Sequence, residues 1–131
     1  MLTTAASHCD ARRNPKDIEG SKKAQLQLLP ISAERHAAAA LADGADKYGQ
    51  FNWRAEKIEP GQYVAACRRH LAAWYEGEEC APDSGVHHLG HAIATLMILL
   101  DAQEHGCLND DRPLLASPSQ VATQTSRSPS R

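Results

Sequence analysis

Apolar and small residues recur at spacings of three and four along three stretches of this chain, and nowhere alternate with the period of two that marks a strand. The first stretch follows Ser32, a residue type that caps helix starts, and runs through ERHAAAALADGADKYG. Within it Ala37, Ala40, Leu41, Ala45 and Tyr48 form one stripe, and Gly49 is placed to end the helix. A connector, QFNWRAEKIE, leads to Pro60, a favoured first-turn residue. The second helix carries Tyr63, Val64, Cys67, Leu71 and Trp74 on one face and ends near Gly77. Pro82, Asp83, Ser84 and Gly85 predict a turn, with Asp83 or Ser84 capping a third helix that ends near Gly106. The pattern predicts an all-α fold, a small antiparallel helical bundle.

The third helix is apolar nearly all round from Ala92 to Leu100, which predicts a central or shared position. Residues 1–23 and 109–131 lack periodicity and are rich in polar residues, so they are expected to be mobile, leaving 24–108 as the folded domain. About 80 ordered residues lie near the size at which one core is marginal. Leu96, Met97, Leu99 and Leu100 span most of the helix circumference and cannot all face two short partners. A homo-oligomer, dimer or tetramer, is therefore expected.

Charge and cysteines narrow the class. A net charge of −2 and a pI near 6.4 argue against a nucleic-acid polymer as partner, because phosphate-backbone binding needs a basic face. The four cysteines, at 9, 67, 80 and 107, form no CxxC pair, and reduced thiols in a cytoplasm are the simpler reading. The apolar run at residues 92–100 is half of the roughly 18 residues a membrane span needs, so no membrane partner is expected.

The candidate chemistry lies in RHLAAWYEGEECAPDSGVHHLGHA, residues 69–92. His70 shares the inward face of Cys67, Leu71 and Trp74, and Glu78 follows eight residues later. On the third helix Ser84, His88, His91 and Thr95 repeat at four, three and four. His70 and His91 each lie about ten residues from a turn centred near residue 80, hence at one height in an antiparallel pair. His87 is turned about 100° from His88 and is expected on the surface. Imidazoles and carboxylates converging from two helices are how a bundle builds a divalent-metal site. The bland reading stands beside it: an inward histidine is often a satisfied core residue, Asp83 a helix cap and Glu78 a solvated turn residue.

Three segments then carry a resemblance: LQLLP at 26–30, GADKYGQFNWR at 44–54, and RHLAAWYEGEECAPDSGVHHLGHA at 69–92. Together they resemble the phage-encoded dATP/dGTP diphosphohydrolases, small helical proteins compared with the MazG-like nucleotide pyrophosphohydrolases. The resemblance implies a metal-dependent all-α enzyme, working in the host cytoplasm if phage-encoded. It would cleave a purine deoxynucleoside triphosphate between its α- and β-phosphates. Where the family has GE-x-x-D-P-E-S-G this chain reads GEECAPDSG, so Ala81 replaces one acid, Asp83 shortens the next, and Glu79 is a candidate to compensate. Asp46 stands where the family has a Glu before KYG, and Gln25 replaces a common Arg, leaving Lys22 and Lys23 as the nearby cations. The ExxE…ExxD signature of the MazG-like group is not visible; HLGH stands where an ExxD would.

A triphosphate demands charge neutralisation and an activated water, which Mg²⁺ or Mn²⁺ supplies. Glu78 and Asp83 are the expected metal ligands, with His88 and His91 as ligands or water-orienting groups, and Asp46 added by the resemblance. His70 or an acid is the expected general base, and His70, Glu78 and His88 are the expected catalytic set. Lys23, Lys47 and Arg69 are candidates for phosphate, and Asn52 and Trp53 for the purine base by amide hydrogen bonding and stacking. Two other functions remain open: another metal phosphohydrolase such as a dNTP triphosphohydrolase, and a non-catalytic metal- or nucleotide-binding module.

Overall fold

The computed structural model describes residues 12–113. The expected mobility of residues 1–11 and 114–131, and Cys9, lie outside the described residues. Five α-helices follow in order: α1 (Pro15–Gly20), α2 (Ile31–Tyr48), α3 (Asn52–Ala55), α4 (Pro60–Tyr75) and α5 (His88–Glu104), with a 3₁₀ turn at Leu26–Leu28. Among the described residues there is no strand, only two isolated backbone bridges, Ile58–Leu108 and Cys80–His87. The fold is all-α, as its periodicity predicts.

Two units divide between Ile31 and Ser32. In the first, residues 15–20 are helical rather than mobile, because Asn14 accepts from the backbone N–H of Lys16 at 2.8 Å and Pro15 presets the first turn. Gln25 donates its side-chain amide to the carbonyls of Gly20, Ser21 and Lys23, which closes the turn after α1. Lys23 is exposed within this unit.

The second unit is built on the α4–α5 hairpin. Cys67 faces Ala92 and His70 faces His88, so the two helices run antiparallel. Both end in the same device, which satisfies carbonyls that a helix terminus leaves unpaired. At the end of α4, Gly77 N–H donates to Trp74 O and Glu78 N–H to Ala73 O, with Gly77 at φ 108°. At the end of α5, Gly106 N–H donates to Gln103 O and Cys107 N–H to Ala102 O, with Gly106 at φ 66°. The first of these motifs fixes where Glu78 leaves the helix.

The loop between the hairpin arms is longer than the predicted turn. Ala81 N–H donates to Val86 O, and His88 N–H to Glu79 O, so residues 79–88 close on themselves before α5 starts. Neither Asp83 nor Ser84 caps α5; His87 does, its Nδ1 accepting from Leu89 N–H at 3.0 Å. His87 is thus half-buried rather than a surface residue. Ala81, in place of the family's acid, is 3% exposed and belongs to the core.

Apart from Ile58, the buried apolar side chains are small. Ala37 and Ala40 of α2, Cys67 of α4, and Ala92, Ala94 and Ala102 of α5 are buried, whereas Leu96, Met97 and Leu100 turn outward. Small residues let backbones approach closely. At the α2–α5 crossing, a Cβ on Gly90 would lie 2.6 Å from the carbonyl oxygen of His36. The connector expected after α2 contains α3, which enters through Phe51 at φ 53°. Trp53 Nε1–H and the Arg54 guanidinium both donate to Asp101 of α5 at 2.7 Å, which holds the Asp101 carboxyl far below the usual carboxylate range.

The predicted tail also begins later than residue 109. Asn109 N–H donates to Ile58 O, and Asp111 Oδ1 accepts from Gly61 N–H at 2.8 Å. The reason lies in α4, whose first-turn N–H groups have no partner within the helix.

Candidate functional site

The antiparallel hairpin brings His70 from α4 against His88 and His91 from α5. The rings of His70 and His91 stack at 4.5 Å and 13°, while His70 Nδ1 lies 2.8 Å from His88 Nδ1. His88 is 5% exposed, and its other nitrogen, Nε2, lies 2.7 Å from Glu78 Oε1. His91 Nε2 lies 2.7 Å from Ser84 Oγ, which also accepts from Val86 N–H. Ser84 therefore reaches His91 from the loop, not from the helical stripe that the spacing predicts.

Burial pushes the pKa of His70 down, and the positive charges that His91, His88 and Arg69 can carry push the same way. Burial likewise lowers His91, opposed by the carboxylates of Asp43 and Asp83. Both rings are therefore biased toward the neutral form.

One flank of the cluster is a charged bridge between elements. Lys47 Nζ lies 3.0 Å from Asp43 Oδ2, one turn back on α2, and 3.9 Å from Asp83 Oδ2 in the loop. Of the three cations expected at phosphate, Lys47 on α2 lies between Asp43 and Asp83, and Arg69 is an exposed residue of α4 next to His70 in the chain.

Of the predicted residues, the structure gathers His70, Glu78, His88, His91, Asp83 and Lys47 in one region, with Arg69 exposed on α4 beside His70. Within the second unit it does not gather Asp46, Asn52 and Trp53. Asp46, named through the resemblance, is exposed, whereas Asp43 is half-buried and lies 3.0 Å from Lys47 Nζ. The signal for Asp43 lies in a second stripe, His36, Ala40, Asp43 and Lys47, spaced four, three and four. Glu79, the candidate to compensate for Ala81, instead lies 3.1 Å from His87 Nε2. Asn52 and Trp53 sit on α3, where Trp53 is tied to Asp101, ten residues or about 15 Å along α5 from His91. The indole N–H of Trp53 is already committed there. Lys23 belongs to the other unit.

The predicted metal set does not assemble as such. Among the described residues no three His, Cys, Asp or Glu side chains converge to hold a metal ion. The physical reason is that His70, His88, Glu78, His91 and Ser84 spend their facing atoms on each other. Asp43 and Asp83 are different: they already hold a cationic group between two elements. Mg²⁺ commonly takes only one or two protein carboxylates, completing its shell with water and phosphate oxygens. That pair is the candidate for a hard divalent ion.

An all-α domain with an imidazole–carboxylate cluster beside Lys47 is the class that fold and site define. Comparison with known proteins makes it particular: the family described as dATP/dGTP diphosphohydrolase, N-terminal, matches residues 13–112, and the chain belongs to that family. A protein of Salmonella phage PMBT28 named dATP/dGTP diphosphohydrolase is 31% identical over 102 residues, covering 78% of this chain and 34% of that protein. The chain spans about a third of the length of this relative. No solved structure matches it. Among the described residues, no helix is long and apolar enough to cross a membrane.

Proposed function

We propose that this domain hydrolyses a purine deoxynucleoside triphosphate, dGTP or dATP, to the monophosphate and pyrophosphate, with Mg²⁺ or Mn²⁺ as cofactor. The observation that carries the reading is the half-buried histidine cluster of His70, His88 and His91 beside Lys47 and its carboxylate partners Asp43 and Asp83. Family membership and the name of the phage relative support the substrate class.

Arg69 and Lys47 contact phosphate oxygens, Arg69 in the two-pronged manner its guanidinium allows. Asp43 and Asp83 would hold the divalent ion, which when bound neutralises phosphate charge and acidifies water. His70 takes the proton of the attacking water as its oxygen adds to the α-phosphorus. The bond from that phosphorus to the bridging oxygen breaks, and pyrophosphate leaves with the electron pair. A panel of nucleoside triphosphates with Mg²⁺, Mn²⁺ or chelator tests the reading. Pyrophosphate as product supports it; tripolyphosphate points to triphosphohydrolysis, and no turnover of any nucleotide to a binding module.

The proposal includes a homo-oligomer. Leu89, Ile93, Leu96 and Leu100 on α5 recur at four, three and four, the spacing of a helix–helix seam, and Leu96 and Leu100 are exposed.

A further inference from the structure

We infer that Glu78, His88 and His70 form a proton relay in which the buried His88, held by the half-exposed Glu78 carboxylate, fixes the tautomer of His70 and receives the charge that His70 picks up. The inference rests on the hydrolase reading for its catalytic meaning, while its hydrogen-bond logic stands on geometry alone.

That logic has one consistent solution for the neutral pair. An ionised carboxylate only accepts, so His88 Nε2, 2.7 Å from Glu78 Oε1, carries a proton. A neutral His88 protonated at Nε2 presents a lone pair at Nδ1. The facing atom, His70 Nδ1 at 2.8 Å, must then be the donor. A neutral His70 protonated at Nδ1 has its lone pair at Nε2. Among the described residues nothing pairs with that atom, and no buried side-chain nitrogen or oxygen lacks a partner, so Nε2 opens to solvent. The arrangement presents an outward base whose tautomer is set from inside.

The same chain moves charge inward. When Nε2 of His70 accepts a proton, its Nδ1–H bond breaks and a bond to Nδ1 of His88 forms. The imidazolium now belongs to His88, beside the Glu78 carboxylate. His70 returns to neutrality with its remaining proton on Nε2, no net atom being gained beyond the one accepted. The neighbours of each ring give the transfer its direction. His70 faces His91 and His88 from α5 and Arg69 from its own helix, all of which oppose a positive charge on it, against Asp83 from the loop. His88 has an acid at hydrogen-bond distance. Glu78 is thus a positioning residue that acts through His88 without touching substrate, a second partner that sets which nitrogen of an imidazole is free.

The experiment is ¹⁵N NMR of the histidine-labelled full chain above the histidine titration range, with Glu78→Gln beside it, together with pH profiles of triphosphate hydrolysis. The expected result is the Nε2–H tautomer at His88 and the Nδ1–H tautomer at His70. Glu78→Gln mixes both tautomers. It also lowers kcat about tenfold with KM within about twofold, and moves the acidic limb of the kcat profile to lower pH as the relay loses basicity. A His70 resting in the Nε2–H form overturns the relay, as do tautomers and a pH limb unchanged by Glu78→Gln. A correct tautomer pair in a protein that hydrolyses no triphosphate supports the relay and overturns the hydrolase reading.

Discussion

The imidazole of His70 lies flat on that of His91, 4.5 Å away and inclined by 13°, although the two come from opposite arms of the α4–α5 hairpin. Stacking two titratable rings in a partly buried place makes their protonation unfavourable, and this has a consequence for stability. Burial holds both pKa values below the free-histidine value of 6.5, so the unfolded chain binds protons that the folded one refuses. The stabilisation is fully present above pH 6.5 and is lost as pH falls through the depressed folded values. Melting temperature measured between pH 8 and pH 5 is expected to drop across the acidic half of that range. His70→Gln is expected to flatten the drop, and a profile unchanged by the substitution would contradict it.

Asp43 and Asp46 separate the inward acid of α2 from the outward one. Asp43→Asn releases Lys47 and removes a carboxylate from the pair with Asp83. It is expected to lower kcat/KM at least tenfold, about 1.4 kcal/mol of transition-state stabilisation. Asp46→Asn changes an exposed group and is expected to leave kcat/KM within about twofold. Equal losses in the two variants, measured by pyrophosphate release, would return the role to Asp46.

Gly90 is expected to tolerate no side chain. Alanine in a helix interior gains about 1 kcal/mol over glycine by propensity alone. Here its Cβ would meet the backbone carbonyl of His36 at 2.6 Å, and backbone of a second helix cannot step aside as a side chain does. Overpacking of this kind costs about 1–3 kcal/mol, so the clash wins. Urea unfolding of Gly90→Ala should show a lower midpoint; a raised one would mean that α2 does not cross α5 at this point.

The outward leucines predict association. Leu96 and Leu100 are 52% and 62% exposed in the single chain, on the seam that Leu89 and Ile93 continue. Light scattering is expected to give at least twice the chain mass at micromolar concentration, and Leu96→Glu with Leu100→Glu to halve it. A monomer in both cases would remove the homo-oligomer from the proposed function.

What the sequence determined by itself was the all-α class and the two long arms of the hairpin, because helical periodicity, Pro60, Gly77 and Gly106 are local signals that act within a few residues. It also placed His70 and His91 at one height, since an antiparallel hairpin makes register a matter of counting from the turn. The start of α5 was not legible: Asp83 and Ser84 are good caps by type, but the backbone closure from Glu79 to His88 outweighs type and hands the cap to His87. Nor was the choice of Asp43 over Asp46, since both residues are acidic and near the same end of α2. Only the crossing of α2 over α5 decides which side of that helix is inward. The pairing of His88 with both Glu78 and His70 was tertiary for the same reason. A ring has two nitrogens, and which groups meet them depends on how elements far apart in sequence are packed, not on spacing along the chain.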